Sequence, residues 1–416
     1  MVARRAMHIA GLDIGSSKVS CFIAELDEFF TPRVIGYGMH ASHGMKRGVI
    51  VDMDQTETAI REAVHQAEEA AGVSIQSVYV GLGGTHIRSH MTDGLVVLGQ
   101  NEITDADLFK VIDVACAKQL EGDRQIIHAL ATNYVLDDQT DIRDPRGMTG
   151  SRLESEVHII SAAKSAVRNV VRCVERCNLH IDEIVVEPLA SAVSTLIPDE
   201  KELGVCMVDI GGGTCDLAVY DEGFLLYTSV IPIGGNHITS DIARGLSTPL
   251  HHAERIKNLY GCAMASLVEG DDVIDIPHVG EDEDTMSGHI TRSQLAGIIQ
   301  PRCEELLEMV RAQIEKSGFE SAVGRRVVLT GGTSQLHGFR NLAEVVLDKS
   351  VRVAKPHGLE GLTGLTAVPQ FATAAGLVMY GAQRASQRVR SRQRSAAGAG
   401  VLGQVGRWLK ESFQAG

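Results

Sequence analysis

The chain has 416 residues, 44% of them hydrophobic and 22% charged, which is long and apolar enough for two or more domains with sizeable cores. Its formal net charge of −14 argues against a nucleic-acid binder as a whole. The eight cysteines include no CxxC pair, so neither a zinc site nor a disulfide framework is expected, and the setting reads as reducing and cytoplasmic.

Arg4 and Arg5 precede a short apolar run, but Asp13 ends it too soon for a signal peptide. No apolar run anywhere approaches about 18 residues, so no segment is expected to span a membrane. The first motif is Gly11-Leu12-Asp13-Ile14-Gly15-Ser16-Ser17-Lys18-Val19, a strand, a turn of small residues and a second strand. Gly15, Ser16 and Ser17 leave backbone N–H groups and hydroxyls open to an anion, and Lys18 adds a cation for phosphate oxygens. Residues 9–51 continue as a meander of strands. Asp54-Gln55-Thr56-Glu57 reads as a capping box, followed by a helix with Ile60, Ala63, Val64, Ala67 and Ala71 on one face and a stop at Gly72. A strand covers 77–81.

Residues 87–156 change character and read as a small inserted αβ module without a phosphate motif. It has strands near 95–98 and 125–130, a helix capped by Thr104 and Asp107, and a turn-rich stretch at 137–152. The host then resumes with a strand at 157–160, a helix marked by Val167, Val170, Val171 and Val174, and a strand running into Glu187-Pro188-Leu189-Ala190-Ser191-Ala192.

The second motif is Val208-Asp209-Ile210-Gly211-Gly212-Gly213-Thr214-Cys215-Asp216, in the same order as the first and 209 − 13 = 196 residues after it. Three glycines strip the turn of side chains, and Thr214 adds a hydroxyl donor. Asp13 and Asp209 repel phosphate, so the natural partner of each is a hydrated Mg²⁺ riding on the phosphates. Two such hairpins imply a duplicated architecture whose halves grip one nucleoside triphosphate. Gly234-Gly235-Asn236 before a helix is a further anion-friendly terminus. A helix follows at 253–260, with Glu254 and Lys257 at i,i+3. Residues 269–284 hold eight acids and no Lys or Arg, a flexible acidic loop or exposed hairpin. A long helix spans 292–316. Val327-Val328-Leu329-Thr330-Gly331-Gly332-Thr333-Ser334 is a strand and a Gly-Gly turn suited to close approach of a nucleoside, with Gly331, Gly332 and Ser334 facing it. There is no GxxxxGK[ST] and no GxGxxG.

Residues 373–381 repeat the small-residue character of 189–192, and these two helices are expected to cross at a hinge. Residues 384–400 carry five Arg and no acid, which reads as a disordered basic linker. Beyond it, 401–414 as a helix places Leu402, Val405, Leu409 and Phe413 on one stripe with Val401 and Trp408 beside it, an interfacial helix for anionic membrane lipids.

The three motifs, in this order and spacing, resemble those of the actin-like ATPase superfamily, and within it the bacterial cell-division family FtsA. The resemblance covers nearly the whole chain. It implies an α/β fold, the duplicated ribonuclease-H-like fold of actin, with two halves around a nucleotide cleft and inserted small subdomains. The implied division is 7–86 with 157–203 as the first large subdomain, 87–156 as its insertion, 204–244 with 325–383 as the second, 245–324 as its small subdomain, then linker and anchor. A module inserted after the strand at 77–81, rather than before the helix at 54, separates this family from actin and MreB.

ATP and Mg²⁺ are the implied cofactors. Glu187 would stand near the attacking water, and Glu254 and Lys257 would lie over adenine and ribose. At most weak ATPase activity is implied. The implied role is to hold the FtsZ ring to the cytoplasmic face of the inner membrane at the septum as a peripheral protein, binding the FtsZ C-terminal peptide at 245–324, recruiting further divisome proteins and self-associating with ATP. The alternatives are another actin-like scaffold, such as an MreB-like filament or a pilus-assembly protein, and an ATPase of the sugar-kinase or heat-shock type.

Overall fold

The computed structural model describes residues 7–117, 122–270, 272–280 and 288–397, with 390–397 as backbone only. Two five-stranded sheets carry it, and their strand orders are the same. The first runs His180–Val186, Ser77–Leu82, Met7–Ile14, Lys18–Leu26, Pro32–Ala41. Read from its opposite edge, the second runs Ser350–Val353, Arg326–Thr330, Val205–Ile210, Cys215–Asp221, Phe224–Ile231. In each, three strands form an antiparallel meander and the two others join in parallel. The central strands are buried on both faces, which is why Val205–Ile210 is an apolar run broken only by Asp209.

Helix Met53–Ala71 covers the first sheet. Gly36 and Gly38 allow the contact, since a Cβ on either would stand 2.3 Å and 2.0 Å from the carbonyl oxygens of Ala67 and Ala63. It ends at Gly72 in the left-handed region, as its sequence predicts. Its start differs from the reading: Asp52 is the cap, accepting from the Gln55 N–H, while the Glu57 side chain turns to Arg176 at 2.8 Å.

The inserted module is a four-stranded sheet, Arg88–Val97, Arg152–Ala163, Arg124–Leu136, Gln139–Ile142, with helix Asp105–Cys116 packed on it. Here the sequence reading needs correction. The strand at 157–160 does not belong to the host, because Val157 to Ile160 pair with Thr92 to Ser89 of the insertion. Burial on both faces gave this end of Arg152–Ala163 the apolar look of a host strand.

In the second half, helices Gly235–Leu246, Leu250–Tyr260 and Arg292–Ser317 share one apolar core with the second sheet. Part of the acidic run forms a two-stranded hairpin, Val273–Ile276 with Gly288–Thr291, while Asp271 and 281–284 lie outside the described residues.

The closing helices are exchanged. Helix Glu187–Thr195, which follows the first sheet, packs on the second, and helix Ala372–Ala397, which follows the second, packs on the first. They cross where Gly376 meets the Ala190 carbonyl, with room for no Cβ. The reading of a disordered linker from Arg384 is overturned up to Ala397, since the helix continues through it. Arg384 is held by the Glu183 carboxylate at 2.7 Å and lies over the Tyr380 ring, and Ala385 is buried. None of the described helices is long and apolar enough to cross a membrane. Val401, Leu402, Val405, Trp408, Leu409 and Phe413 lie outside the described residues.

Candidate functional site

The two glycine-bearing hairpins are built alike. Gly15 N–H donates to the Lys18 carbonyl at 3.0 Å, and Gly211 N–H donates to the Thr214 carbonyl at 3.0 Å. Asp13 pairs across its hairpin with Ser20, and Asp209 pairs across its own with Asp216. The turns face each other. A Cβ on Gly212 would stand 2.8 Å from the Ser17 Cβ, and one on Gly213 would stand 2.7 Å from the Ser16 Cβ. Between them lies a cleft of about 690 Å³. That is the size range of a small-molecule site.

Its wall holds Asp13, Gly15, Ser16, Ser17 and Lys18 from one side and Asp209, Gly211, Gly212, Gly213 and Thr214 from the other, with Glu187 between them. Gly235, Glu254, Lys257, Gly331 and Gly332 also line it. Ser334 does not reach it. That residue is buried, and its hydroxyl donates to the Gly331 carbonyl at 2.7 Å, leaving Thr333 and Gln335 on the wall. The helix terminus at Gly235 is also less open to an anion than its sequence promised. Gly235 and Asn236 spend their N–H groups on the Gly211 and Gly212 carbonyls, at 3.0 Å and 2.8 Å. Glu254 and Lys257 form an ion pair at 2.6 Å, solvated on the Glu254 side only. The Lys257 ammonium is buried, and it also donates to Thr239 at 2.9 Å and to the Gly235 carbonyl at 3.3 Å.

Sequence reasoning missed several wall residues, among them Asp216, Asn236, Asn258, Arg292, Gln370 and Thr373. For Asp216 a signal existed: it ends the second motif, directly across from Asp209.

Four carboxylates therefore converge on the floor: Asp13, Glu187, Asp209 and Asp216. Burial pushes the Asp13 carboxyl up to about 6, with the Asp209 charge adding to the rise and Lys18 opposing it. Burial holds Glu187 and Asp216 well above the usual range, and neighbouring acids reinforce the effect. Asp209 is also raised by burial, with hydroxyls of Ser191 and Thr373 opposing the rise. Burial pulls the Lys18 ammonium down to about 8. That ammonium donates to the Gln370 carbonyl at 2.5 Å and sits 3.9 Å from the centre of the Phe371 ring.

One lysine against four buried acids is an incomplete electrostatic arrangement. Asp216 Oδ1 is buried with no partner, while Oδ2 accepts from Thr214 at 3.1 Å. Both features fit a site completed by a divalent cation. Among the described residues no group of three or more His, Cys, Asp or Glu is placed to hold a metal ion directly. A further constraint sits beneath Glu187. A Cβ on Gly83 would lie 2.2 Å from Glu187 Oε2, so only glycine leaves that carboxyl its place.

Comparison with known proteins adds the lineage. The family profile "Cell division protein FtsA" matches residues 206–376, and the profile of the "SHS2 domain inserted in FTSA" matches residues 84–161, consistent with an insertion that runs through the strand at 157–160. The chain is 41% identical over 411 residues to the cell division protein FtsA of Pseudomonas aeruginosa, covering 97% of this chain and 98% of the relative. Among solved structures it resembles the PilM–PilN type IV pilus biogenesis complex, with a TM-score of 0.65 at 16% identity, covering 90% of this chain and 98% of that one. It also resembles MreB5 of Spiroplasma citri bound to ADP, with a TM-score of 0.55 at 12% identity, covering 92% and 98%. At these identities the structural likeness establishes the actin-like fold alone.

Proposed function

The chain belongs to the FtsA family of cell-division proteins, and from that premise we propose that it is an ATP-dependent adaptor that holds the FtsZ ring to the cytoplasmic face of the inner membrane at the septum. The observation that carries the nucleotide part is the pair of facing hairpins, Ser16 and Ser17 opposite Gly212 and Gly213, above the acids Asp13 and Asp209. Ser16, Ser17, Lys18 and 211–214 cradle the phosphates. Asp13 and Asp209 hold Mg²⁺ through water, and the ion neutralises charge that the four acids leave uncompensated. Gly331, Gly332, Glu254 and Lys257 face the nucleoside, and Glu187 orients water for slow hydrolysis.

Assembly and anchoring follow from the same premise. ATP draws the lobes together and favours end-to-end association of copies. The segment 245–324 takes the FtsZ C-terminal peptide, and the inserted module offers a surface to further divisome proteins. The tail from 401 to 414 inserts in the lipid interface. Its six apolar side chains contribute at most roughly 1.5–3 kcal/mol each. Ordering the backbone costs about 1–2 kcal/mol per residue. One tail therefore binds weakly, and a row of copies binds firmly through effective concentration.

Co-sedimentation with anionic liposomes, with and without ATP, FtsZ and the last 16 residues, tests this. Pelleting of both proteins should require the tail and strengthen with ATP. Pelleting that ignores the tail would end the adaptor reading.

A further inference from the structure

The floor of the cleft is wired to the hinge through one oxygen. Asp209 Oδ2 accepts from Ser191 Oγ at 2.5 Å and from Thr373 Oγ1 at 3.2 Å, and the two hydroxyls lie 2.9 Å apart. All three residues are buried. Each comes from a different element: Asp209 from the end of strand Val205–Ile210, Ser191 from helix Glu187–Thr195 and Thr373 from helix Ala372–Ala397. The two helices are those that cross at Gly376, where a rotation of one lobe against the other would act.

The internal symmetry supplies a control. The counterpart of Asp209 is Asp13, whose carboxylate accepts from Ser20 of its own hairpin at 3.2 Å. The hairpin fold therefore does not require a tie to the hinge, and the second carboxylate has one in addition. With Oδ2 committed to two hydroxyls, Oδ1 is the oxygen left beside the Gly331 turn, where a Cβ would stand 2.3 Å from it.

We propose that Ser191 and Thr373 are positioning residues, a hydroxyl clutch that aims Asp209 at the metal's water shell only while the two hinge helices hold their closed crossing. Slippage of the helices removes a donor, and the carboxylate then loses its fixed rotamer. Metal occupancy and lobe closure thereby become one coupled event, each favouring the other by the same free energy. The inference rests on the reading of the cleft as a Mg-nucleotide site.

The test uses the full chain, with ATP titrated by calorimetry in Mg²⁺ and in EDTA. Thr373→Val, which keeps the shape and loses the hydroxyl, and Ser191→Ala should each weaken Mg-ATP binding about tenfold, the scale of one charge-assisted hydrogen bond. Binding of metal-free ATP should change by less than about twofold, because the clutch acts through the ion. Thr373→Ser should restore the wild-type value. Small-angle scattering at saturating Mg-ATP should show compaction for wild type and not for Thr373→Val. Equal losses in Thr373→Val and Thr373→Ser would make the effect one of packing and overturn the clutch. So would wild-type behaviour of Thr373→Val and Ser191→Ala while Asp209→Ala loses Mg-ATP, an outcome that leaves the nucleotide reading standing. If Asp209→Ala itself binds Mg-ATP unchanged, the nucleotide reading fails first.

Discussion

Burial holds the Asp13 carboxyl pKa at about 6, above its ordinary value of 3.8. The folded, ligand-free protein thus binds this proton more tightly than the unfolded chain does. Its contribution to stability is present at low pH and is lost as pH rises from about 4 to about 6. Metal binding has the opposite dependence, because it needs the ionised form. Mg-ATP affinity should climb with pH up to about 6 and level off above, with Asp13→Asn lacking that step and so correcting for titration of the nucleotide itself. Calorimetry from about pH 5 to about pH 8 measures both, and a wild-type profile that matches the variant's would refute the assignment. The acids are also where sequence reading reached its limit. Asp13 and Asp209 were legible because each ends a strand before a glycine turn. The hydroxyls of Ser191 and Thr373 were not, since a small residue in a helix reads as packing until its partner, 18 or 164 positions away, is seen beside it.

Among the elements, the crossing of helices Glu187–Thr195 and Ala372–Ala397 is one of the tightest contacts described. Gly376 touches the Ala190 backbone, so a Cβ there would sit 1.8 Å from a carbonyl oxygen that cannot move aside. Gly376→Ala should destabilise the protein by about 3 kcal/mol or more, seen as a lower unfolding temperature. An unchanged melting curve would mean that the helices are not so locked. Small residues on both helices made the crossing legible in advance. The length of the second helix was not, because the residue that carries it past Arg384 is Glu183, 201 positions earlier. Composition alone reads five arginines without an acid as coreless. The same gap between local and distant information misplaced the end of the insertion, where a strand buried on both faces looks alike in either sheet.

For the whole molecule, the duplication was legible because backbone geometry at so tight a turn between strands leaves few residue choices, and a similar choice appears twice. In the proposed function, attachment to lipid depends on residues 401–414. Trp408→Glu should release the full chain from anionic vesicles while leaving Mg-ATP affinity unchanged. Undiminished sedimentation with vesicles would place the anchor elsewhere.

The exchange of closing helices also bears on how the chain comes into being. The apolar face made by Phe22, Ala24 and Val34 is covered by Phe371, Ala374, Ala375 and Val378. During synthesis that face stays bare until residues 371–378, more than 300 positions downstream, have left the ribosome. The early lobe must then wait, greasy and unsealed, for a lid encoded far downstream. Chains that stop short of that lid would offer the cell an adhesive half-product rather than a smaller working one.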